Sequence, residues 1–368
     1  MGIDSAVVVG GGTTGLCAAV LLARRGVEVR LVEARADMGA LGSGLLLHGN
    51  ALRVLDAAGL ADEVIGAGTA FDAIVIRRPD GAVVAEQPDL RSGGPGLPAT
   101  VGITRPRLQR ILADAAERAG VRLHRGARAA VPDGGEGAVR LPDGRSLEAD
   151  VVVAADGARS ALRSGVDAGR LPRATGWAVW RALVPRPAAV VRTELFYGGP
   201  AHIAGYSPMG ADTAYVMCVV DAPQGPVARE EYARRMLELA GAYGGPVWEE
   251  VRGHLAGAGI HLTPFEAYLA DAWYRGRVVL AGDAAHVMPP TLAQGAAMCL
   301  EDVLVLAEVL TGPQALAHAL ARYRARRRPR AAAVGQASLR LKDLLGAGRV
   351  DQAPQVIGRT LTALVTPP

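Results

Sequence analysis

The sequence predicts an α/β fold in which a parallel sheet, assembled from distant parts of the chain, is interrupted by a mainly antiparallel second sheet and closed by C-terminal helices. Three observations predict it. From Ala6 to Glu33 a β-branched run (Val7 to Val9), a glycine-rich turn, an apolar helical pattern and a second apolar run follow one another as one βαβ unit. That strand character returns in DVVVA, Asp150 to Ala154, and in VVLA, Val278 to Ala281, unbroken runs that suit strands buried on both faces of a parallel sheet. Between them, from about residue 170 to 270, apolar residues alternate instead, as in Ala178 to Val184 and Ala214 to Val220, which is the pattern of antiparallel strands.

Within the first unit, Gly10, Gly12 and Gly15 fit G-x-G-x-x-G, with Thr13 and Thr14 between the last two. The first glycine permits the tight turn, the second lets a pyrophosphate approach the backbone, and the third lets helix pack on strand. Leu16, Ala19, Val20, Leu22 and Ala23 give the helix its apolar face, and Gly26 stops it. The next strand, Val27 to Val32, ends in Glu33, 18 residues past Gly15, followed by Ala34 and Arg35. An acid in that place accepts hydrogen bonds from an adenosine ribose, so the unit reads as a Rossmann-type dinucleotide site.

A glycine-rich connection leads to a short helix from Asn50, which is expected to cap it, to Ala58, with Gly59 as its stop. Ala73 to Glu86 reads as a hairpin turning at Pro79-Asp80-Gly81, and Ser92 to Pro98 as a loop. Pro106 opens a helix whose buried stripe is Leu108, Ile111, Leu112 and Ala115 and whose stop is Gly120. Short strands with a turn at Pro142-Asp143-Gly144 reach Asp150. The later parallel strands each end in a loop acid, Asp156 and Asp283, which places both carboxylates at the crevice beyond the strands' carboxyl ends. The tail is helical: Gln294 to Leu310, Pro313 to Arg328, a third pattern through Leu345 and a weaker one after Pro354.

Composition narrows the class. With 368 residues and 50% hydrophobic content, the chain can bury more than one core. No apolar run reaches the roughly 18 residues of a membrane span, and no basic leader precedes the first strand, so a cytoplasmic protein is expected. Cys17, Cys218 and Cys299 lie in apolar segments and read as buried thiols, with no metal site expected. The net charge of +4 is carried by scattered arginines, since Lys342 is the only lysine. The densest cluster, Arg322 to Arg330, lacks interleaved aromatics and reads as a solvated helix face, not a nucleic-acid surface.

Taken together, GGGTTG with Glu33, AADGARSALR (Ala154 to Arg163) and AGDAAHVMPPTLAQGAAMCLED (Ala281 to Asp302) resemble the single-component FAD-dependent aromatic monooxygenases of the para-hydroxybenzoate hydroxylase type, over nearly the whole chain. The resemblance implies a discontinuous FAD-binding domain (1–70, 99–170 and 271–345), a substrate domain (71–98 and 171–270) and a helical tail (346–368). It implies non-covalent FAD, with Asp156-Gly157 ordering the dinucleotide region, Asp283 holding the ribitol and Arg105 reaching the pyrophosphate. Pro290 and the helix start at Gly295, Ala296 and Ala297 would face the flavin, whose reduced form carries negative charge that backbone N–H groups stabilise. The family usually has glycine before the glutamine and often asparagine after it, where this chain has Ala293 and Ala297.

The implied chemistry is that NADH or NADPH reduces FAD, oxygen adds to give a flavin hydroperoxide, and an activated aromatic ring, phenolic or polyketide-like, takes its terminal OH. His48, Arg181, His202 and Tyr215 are the catalytic candidates, with Tyr197 and Tyr206 as further pocket candidates. Alternatives are another flavin oxygenation, such as Baeyer-Villiger insertion or epoxidation, and an idle FAD-binding partner protein. The small aromatic substrate and molecular oxygen are the expected partners, and the chain a monomer or homodimer. Flavin halogenases share the fold, but their Trp-x-Trp-x-Ile-Pro motif differs from Trp177 and Trp180, spaced three apart, which read as packing residues.

Overall fold

The computed structural model describes residues 2–37, 42–130, 137–167 and 171–368; residues 38–41 of the connection after Glu33, and the boundary expected at 170, lie outside the described residues. In chain order the elements are β1 (Ser5–Val9), α1 (Thr13–Ala23), β2 (Glu28–Glu33), β3 (Gly44–His48), α2 (Gly49–Ala57), α3 (Ala61–Ala67), β4 (Thr69–Phe71), β5 (Ala73–Arg77), β6 (Val83–Pro88), β7 (Thr100–Thr104), α4 (Arg105–Arg118) and β8 (Arg122–Arg125). A small hairpin, β9 (Ala138–Arg140) and β10 (Ser146–Glu148), precedes β11 (Val151–Ala154). Then come β12 (Arg173–Pro185), β13 (Glu194–Phe196), β14 (Ile203–Pro208), β15 (Thr213–Asp221), α5 (Tyr232–Gly241), α6 (Pro246–Leu255), β16 (His261–Leu269), β17 (Tyr274–Arg275), β18 (Val278–Leu280), β19 (His286–Val287), α7 (Gly295–Leu310), α8 (Leu316–Gly346) and α9 (Ala353–Ala363).

Among the described residues one sheet runs β17-β18-β11-β1-β2-β8, parallel except at β17. Its central strands are wholly buried: Val7 pairs with Val152, and Val152 with Val278. Three runs far apart in sequence therefore sit side by side because each is apolar on both faces and only the middle of a covered sheet accommodates that. Helices α4 and α7 flank α1 over this sheet. A smaller sheet, β3-β7-β4, bridges to the larger one, β19-β16-β12-β15-β14-β13-β5-β6.

In the large sheet the expected alternation is exact in register: Ala178 pairs with Val220 and Val184 with Ala214. One face, with Trp180, Tyr206, Val216 and Cys218, packs on Met236 and Trp248 of α5 and α6. The other, with Trp177, Val179, Val219 and Phe265, meets Leu292 and Leu341. Trp177 and Trp180 fall on opposite faces because an odd spacing on a strand reverses direction.

Three expectations are corrected. Asn50 lies inside α2, where its buried side chain donates to Gln294 and Glu301, each at 3.1 Å, instead of capping. The two helical patterns divided near Pro329 form the single helix α8. Proline in a helix interior costs about 3 kcal/mol, and the helix continues because Arg327 and Arg330 on either side are tied to Glu301 and because Ala331 and Val334 are buried. The basic cluster is a solvated face only in part: Arg322 and Arg324 are exposed, but Arg327 is fully buried between Glu301 (2.6 Å) and Asp302 (2.8 Å), and Arg326 and Arg328 pair with Glu308 and Asp271.

Candidate functional site

The carboxyl ends of β1, β2, β11 and β18 open onto one cleft. Gly10, at φ +107°, follows β1; a Cβ there would lie 2.3 Å from the Ala155 carbonyl, so the β1 turn and the loop after β11 touch backbone to backbone. A Cβ on Gly15 would meet the Gly10 carbonyl at 1.9 Å, so α1 can pack this close only with glycine. At Gly12 a Cβ would meet nothing, which leaves the backbone exposed toward the cleft. Thr13 and Thr14 open α1 half-buried, and the Thr14 side chain lies against Gly282.

Glu33, at the end of β2, accepts from Gly11 N at 2.6 Å and from Arg35 N at 2.8 Å, which fixes its carboxylate beside the glycine turn. Ala34 and Arg35 are exposed behind it. Asp156 accepts from Ala161 N at 2.8 Å, and its second oxygen is buried without a partner; Gly157 follows at φ +83°. Asp283 projects into solvent at the cleft, and among the described residues only the Cys299 thiol reaches it, at 3.5 Å. Burial, then the charge of Asp283, pushes that thiol well above its ordinary range, so it stays protonated and donates. Pro290 is exposed, and α7 begins at Gly295, with Ala296 half-buried and Ala297 buried.

Arg105 begins α4 with no side-chain hydrogen bond or ion pair to any described residue, although its backbone N–H donates to Ser43 O at 3.0 Å. The residue as a whole is exposed, yet desolvation of its guanidinium, ahead of the like charge of Arg181, depresses it below its ordinary value. The nearby charge of Asp283 opposes that shift. Arg181 and Tyr215 stand on the same face of the large sheet. Burial pushes the Tyr215 phenol up, and Arg181 and Arg105 restrain the rise.

His48 ends β3. Its Nδ1 is 3.0 Å from Thr100 Oγ1, and Thr100 donates its single hydroxyl proton to Asp89 at 2.6 Å. Thr100 must then accept from His48, so the neutral ring carries its proton on Nδ1 and offers a lone pair at Nε2, which is buried with no partner. Burial pushes the Asp89 carboxyl up, but His48, Thr100 and Leu90 N–H outweigh it and hold the acid low. His202 stands apart: its ring stacks on Trp177 at 4.0 Å and bonds Asp221 at 2.9 Å. Tyr197 is half-buried on the cleft side of the sheet, whereas Tyr206 points to the opposite core and donates to Glu194 at 2.5 Å. Position 206 is therefore no pocket residue; strand alternation sends it outward.

Several residues that sequence reasoning did not single out support the cleft. Fully buried Arg163 donates to the Ala284 carbonyl (2.8 Å) and the Asp283 carbonyl (2.9 Å) and lies 4.3 Å over the Tyr268 ring, joining the loops after β11 and β18. Gln109 on α4 donates to the Gly11 carbonyl. Asp302 accepts from Gly282 N at 3.0 Å, His286 Nε2 at 2.7 Å and Arg327. Arg163, His286 and Asp302 all lie within the motif segments, which was their only sequence signal.

The donor set fits a dinucleotide bearing a polyol: an open glycine turn, acids at three strand ends, the unpaired Arg105 and, at the start of α7, a buried Gln294 whose Oε1 accepts from Asn50 while its Nε2 has no partner. The model for the FAD binding domain family matches residues 4–338. This chain belongs to the FAD-dependent aromatic monooxygenases. It is 37% identical over 354 residues to 3-amino-4-hydroxybenzoate 2-monooxygenase of Streptomyces cremeus, covering 91% of this chain and 86% of that one. It is 30% identical over 328 residues to aurachin C monooxygenase/isomerase of Stigmatella aurantiaca, covering 88% and 85%. Among solved structures, 2-methyl-3-hydroxypyridine-5-carboxylic acid oxygenase superposes with a TM-score of 0.80 at 26% identity, covering 95% and 92%. The monooxygenase is thus an FAD enzyme, and no helix among its described residues is long and apolar enough to cross a membrane.

Proposed function

We propose that this monooxygenase hydroxylates a phenolic or heteroaromatic ring held between the cleft and the inner face of the large sheet. The observation that carries the reading is the pair of uncommitted charges in one cleft, Asp283 and Arg105, which a ribitol and a diphosphate would satisfy. Glu33 then takes the adenosine ribose, and Gly12 admits the diphosphate. Residues 1–70, 99–170 and 271–345 act as the FAD-binding domain, 71–98 and 171–270 as the substrate domain, and 346–368 as a tail. FAD, once reduced by NADH or NADPH, supplies the activation of molecular oxygen. His48 Nε2 accepts the proton of the substrate hydroxyl, its tautomer held by Thr100 and Asp89. The large sheet shields the reacting ring from water.

The relatives support a small ring substrate by name: one acts on 3-amino-4-hydroxybenzoate and another on 2-methyl-3-hydroxypyridine-5-carboxylic acid. We infer a cytoplasmic monomer or homodimer. The test is to release the flavin with acid and to follow NAD(P)H oxidation against a panel of phenols, hydroxybenzoates, hydroxypyridines and quinolones. One non-covalent FAD per chain is expected, together with substrate-stimulated oxidation and a product one oxygen heavier. Bound FAD without NAD(P)H oxidation under any ring compound would overturn the reading in favour of an idle FAD-binding protein. Asp283→Ala should cost about 2 kcal/mol or more in FAD affinity, the loss of a charged hydrogen bond, and equilibrium dialysis measures it.

A further inference from the structure

The C-terminal tail has no part in the proposed cofactor site, and its helix α9 reaches both walls of the cleft. Near its start, Ala353 is buried in the apolar cluster on the cleft face of the large sheet, and Val356 and Ile357 pack against that cluster. Tyr197 and Met217 pack on it too. Just past the other end, Leu364 joins buried Met298 and Val334, and Leu361 packs against them. Met298 lies in the first turn of α7, whose start would face the flavin. The ring proposed above sits between these two walls, so α9 crosses over the space that it fills.

The helix is lightly attached. Of its 11 residues only Ala353 is buried, while Val356, Ile357, Thr360 and Leu361 are half-buried and the others exposed. A helix of that length is marginal alone, so docking holds it in shape, and a segment with few buried contacts opens at low free energy. Upstream, Gly346 ends α8 against the Trp177 ring, where a Cβ would lie 3.2 Å from Cζ2, and the chain turns at Gly348, φ +71°. Downstream, two arginines cap the orphan carbonyls of the last turn, where the helix dipole favours a cation. Arg330 donates to Ala363 O at 3.2 Å and Leu364 O at 3.4 Å, and it is fixed in turn by two bonds to Glu301. Arg53, on α2, donates to Val365 O at 2.7 Å and to the Ser92 carbonyl of the loop after β6. One guanidinium thus ties the tail to α2 and to the loop that follows Asp89, the acid behind His48.

We propose that α9 and residues 364–368 form a lid over the ring site, latched to α2 by Arg53, which opens to admit the ring and closes to keep water from the reaction. This rests on the ring-hydroxylation reading above. A ring seated against the large sheet adds apolar surface for Val356 and Ile357 to cover, so its binding favours the closed lid. An open lid admits water and lets the two electrons of NAD(P)H leave on oxygen as hydrogen peroxide, instead of giving hydroxylated ring and water.

The experiment is hydrogen exchange, read by mass spectrometry, on the full-length FAD-loaded enzyme with and without saturating hydroxybenzoates, hydroxypyridines and quinolones. Amides of α9 should exchange about tenfold or more faster than those in the middle of α8, and at least one ring should slow them about threefold or more. Arg53→Met should speed α9 exchange by a similar factor and raise the peroxide formed per NAD(P)H oxidised, with FAD content unchanged. Arg53→Lys should recover part of the loss, because it keeps a charged donor without the fork. Ile357→Ala thins the docked face, leaves the latch intact and should act in the same direction as Arg53→Met. Exchange in α9 as slow as in α8, or unaltered by every ring in the panel, would overturn the proposal. So would wild-type exchange and peroxide yield in both Arg53→Met and Ile357→Ala. Loss of FAD from Arg53→Met would overturn it by assigning Arg53 to the cofactor site. Failure of the hydroxylation reading is seen separately, as bound FAD without NAD(P)H oxidation by wild-type enzyme, since the exchange measurement needs no turnover.

Discussion

Among the described residues Ala293 is the one non-glycine with positive φ, at +51°. An L-residue pays roughly 1–2 kcal/mol for the left-handed region, and glycine returns about 0.5–1 of that in chain entropy. Ala293→Gly should therefore stabilise the protein by about 0.5–1 kcal/mol, read as a raised urea midpoint with unchanged slope; a lowered midpoint would show that the Ala293 methyl makes contacts worth more than the strain. The position was legible as a departure from a family that usually has glycine there, and the geometry gives the reason. His48 was legible by residue type and place, but Thr100 and Asp89, 52 and 41 residues away, were not, because local patterns carry no information on distant side-chain partners. If the Thr100 contact sets the tautomer, Thr100→Val should lower the hydroxylation rate and shift the pH profile toward that of His48→Ala. An unaltered profile in both variants would make His48 a packing residue.

At the scale of elements, the parallel strands, the β5–β6 hairpin, β12, β15 and most helices followed from periodicity, glycine stops and turn dipeptides, whereas β3, β4, β7, helices α3, α5 and α6 and the α7–α8 seam did not. Local rules divide a helix at proline and leave an arginine run in water; tertiary pairing of Arg327 and Arg330 with Glu301 and Asp302 overrode both. Removing one partner of a buried pair costs about 3–5 kcal/mol, so Arg327→Met should destabilise by that amount in denaturant titration, even though methionine fills much of the volume. Acid acts on the same seam. Burial raises the Asp302 carboxyl, but His286 and Arg327 outweigh it and hold it below its ordinary range. A depressed carboxyl contributes stability that is fully present above the unfolded value, about 3.9, and lost as pH falls through the lower folded value. Wild-type stability should thus fall below about pH 4 more steeply than that of Asp302→Asn, and parallel acid limbs would remove Asp302 from the account.

For the whole molecule, the interrupted sheet was legible because its three strand runs are apolar on both faces and end in glycine or acid; how the large sheet faces the cleft was not, since alternation gives two faces without saying which one is covered by helices. That choice is made by α5 and α6 on one side, leaving Arg181, Tyr215 and Met217 on the other. The same arrangement bears on what the enzyme transfers. Flavin halogenases share this type of fold and use a lysine amine to intercept hypohalous acid, and the only lysine here is Lys342. Its Nζ lies 5.2 Å from the Trp177 ring centroid and 3.1 Å from Asp343, committed to the junction of α8 with the sheet. No arginine can substitute, because a guanidinium stays protonated at any working pH and offers no free amine. With NAD(P)H, oxygen, an accepted ring substrate and bromide in excess, mass spectrometry should therefore find one added oxygen and no bromine, and an enzyme-dependent brominated product would overturn this reading.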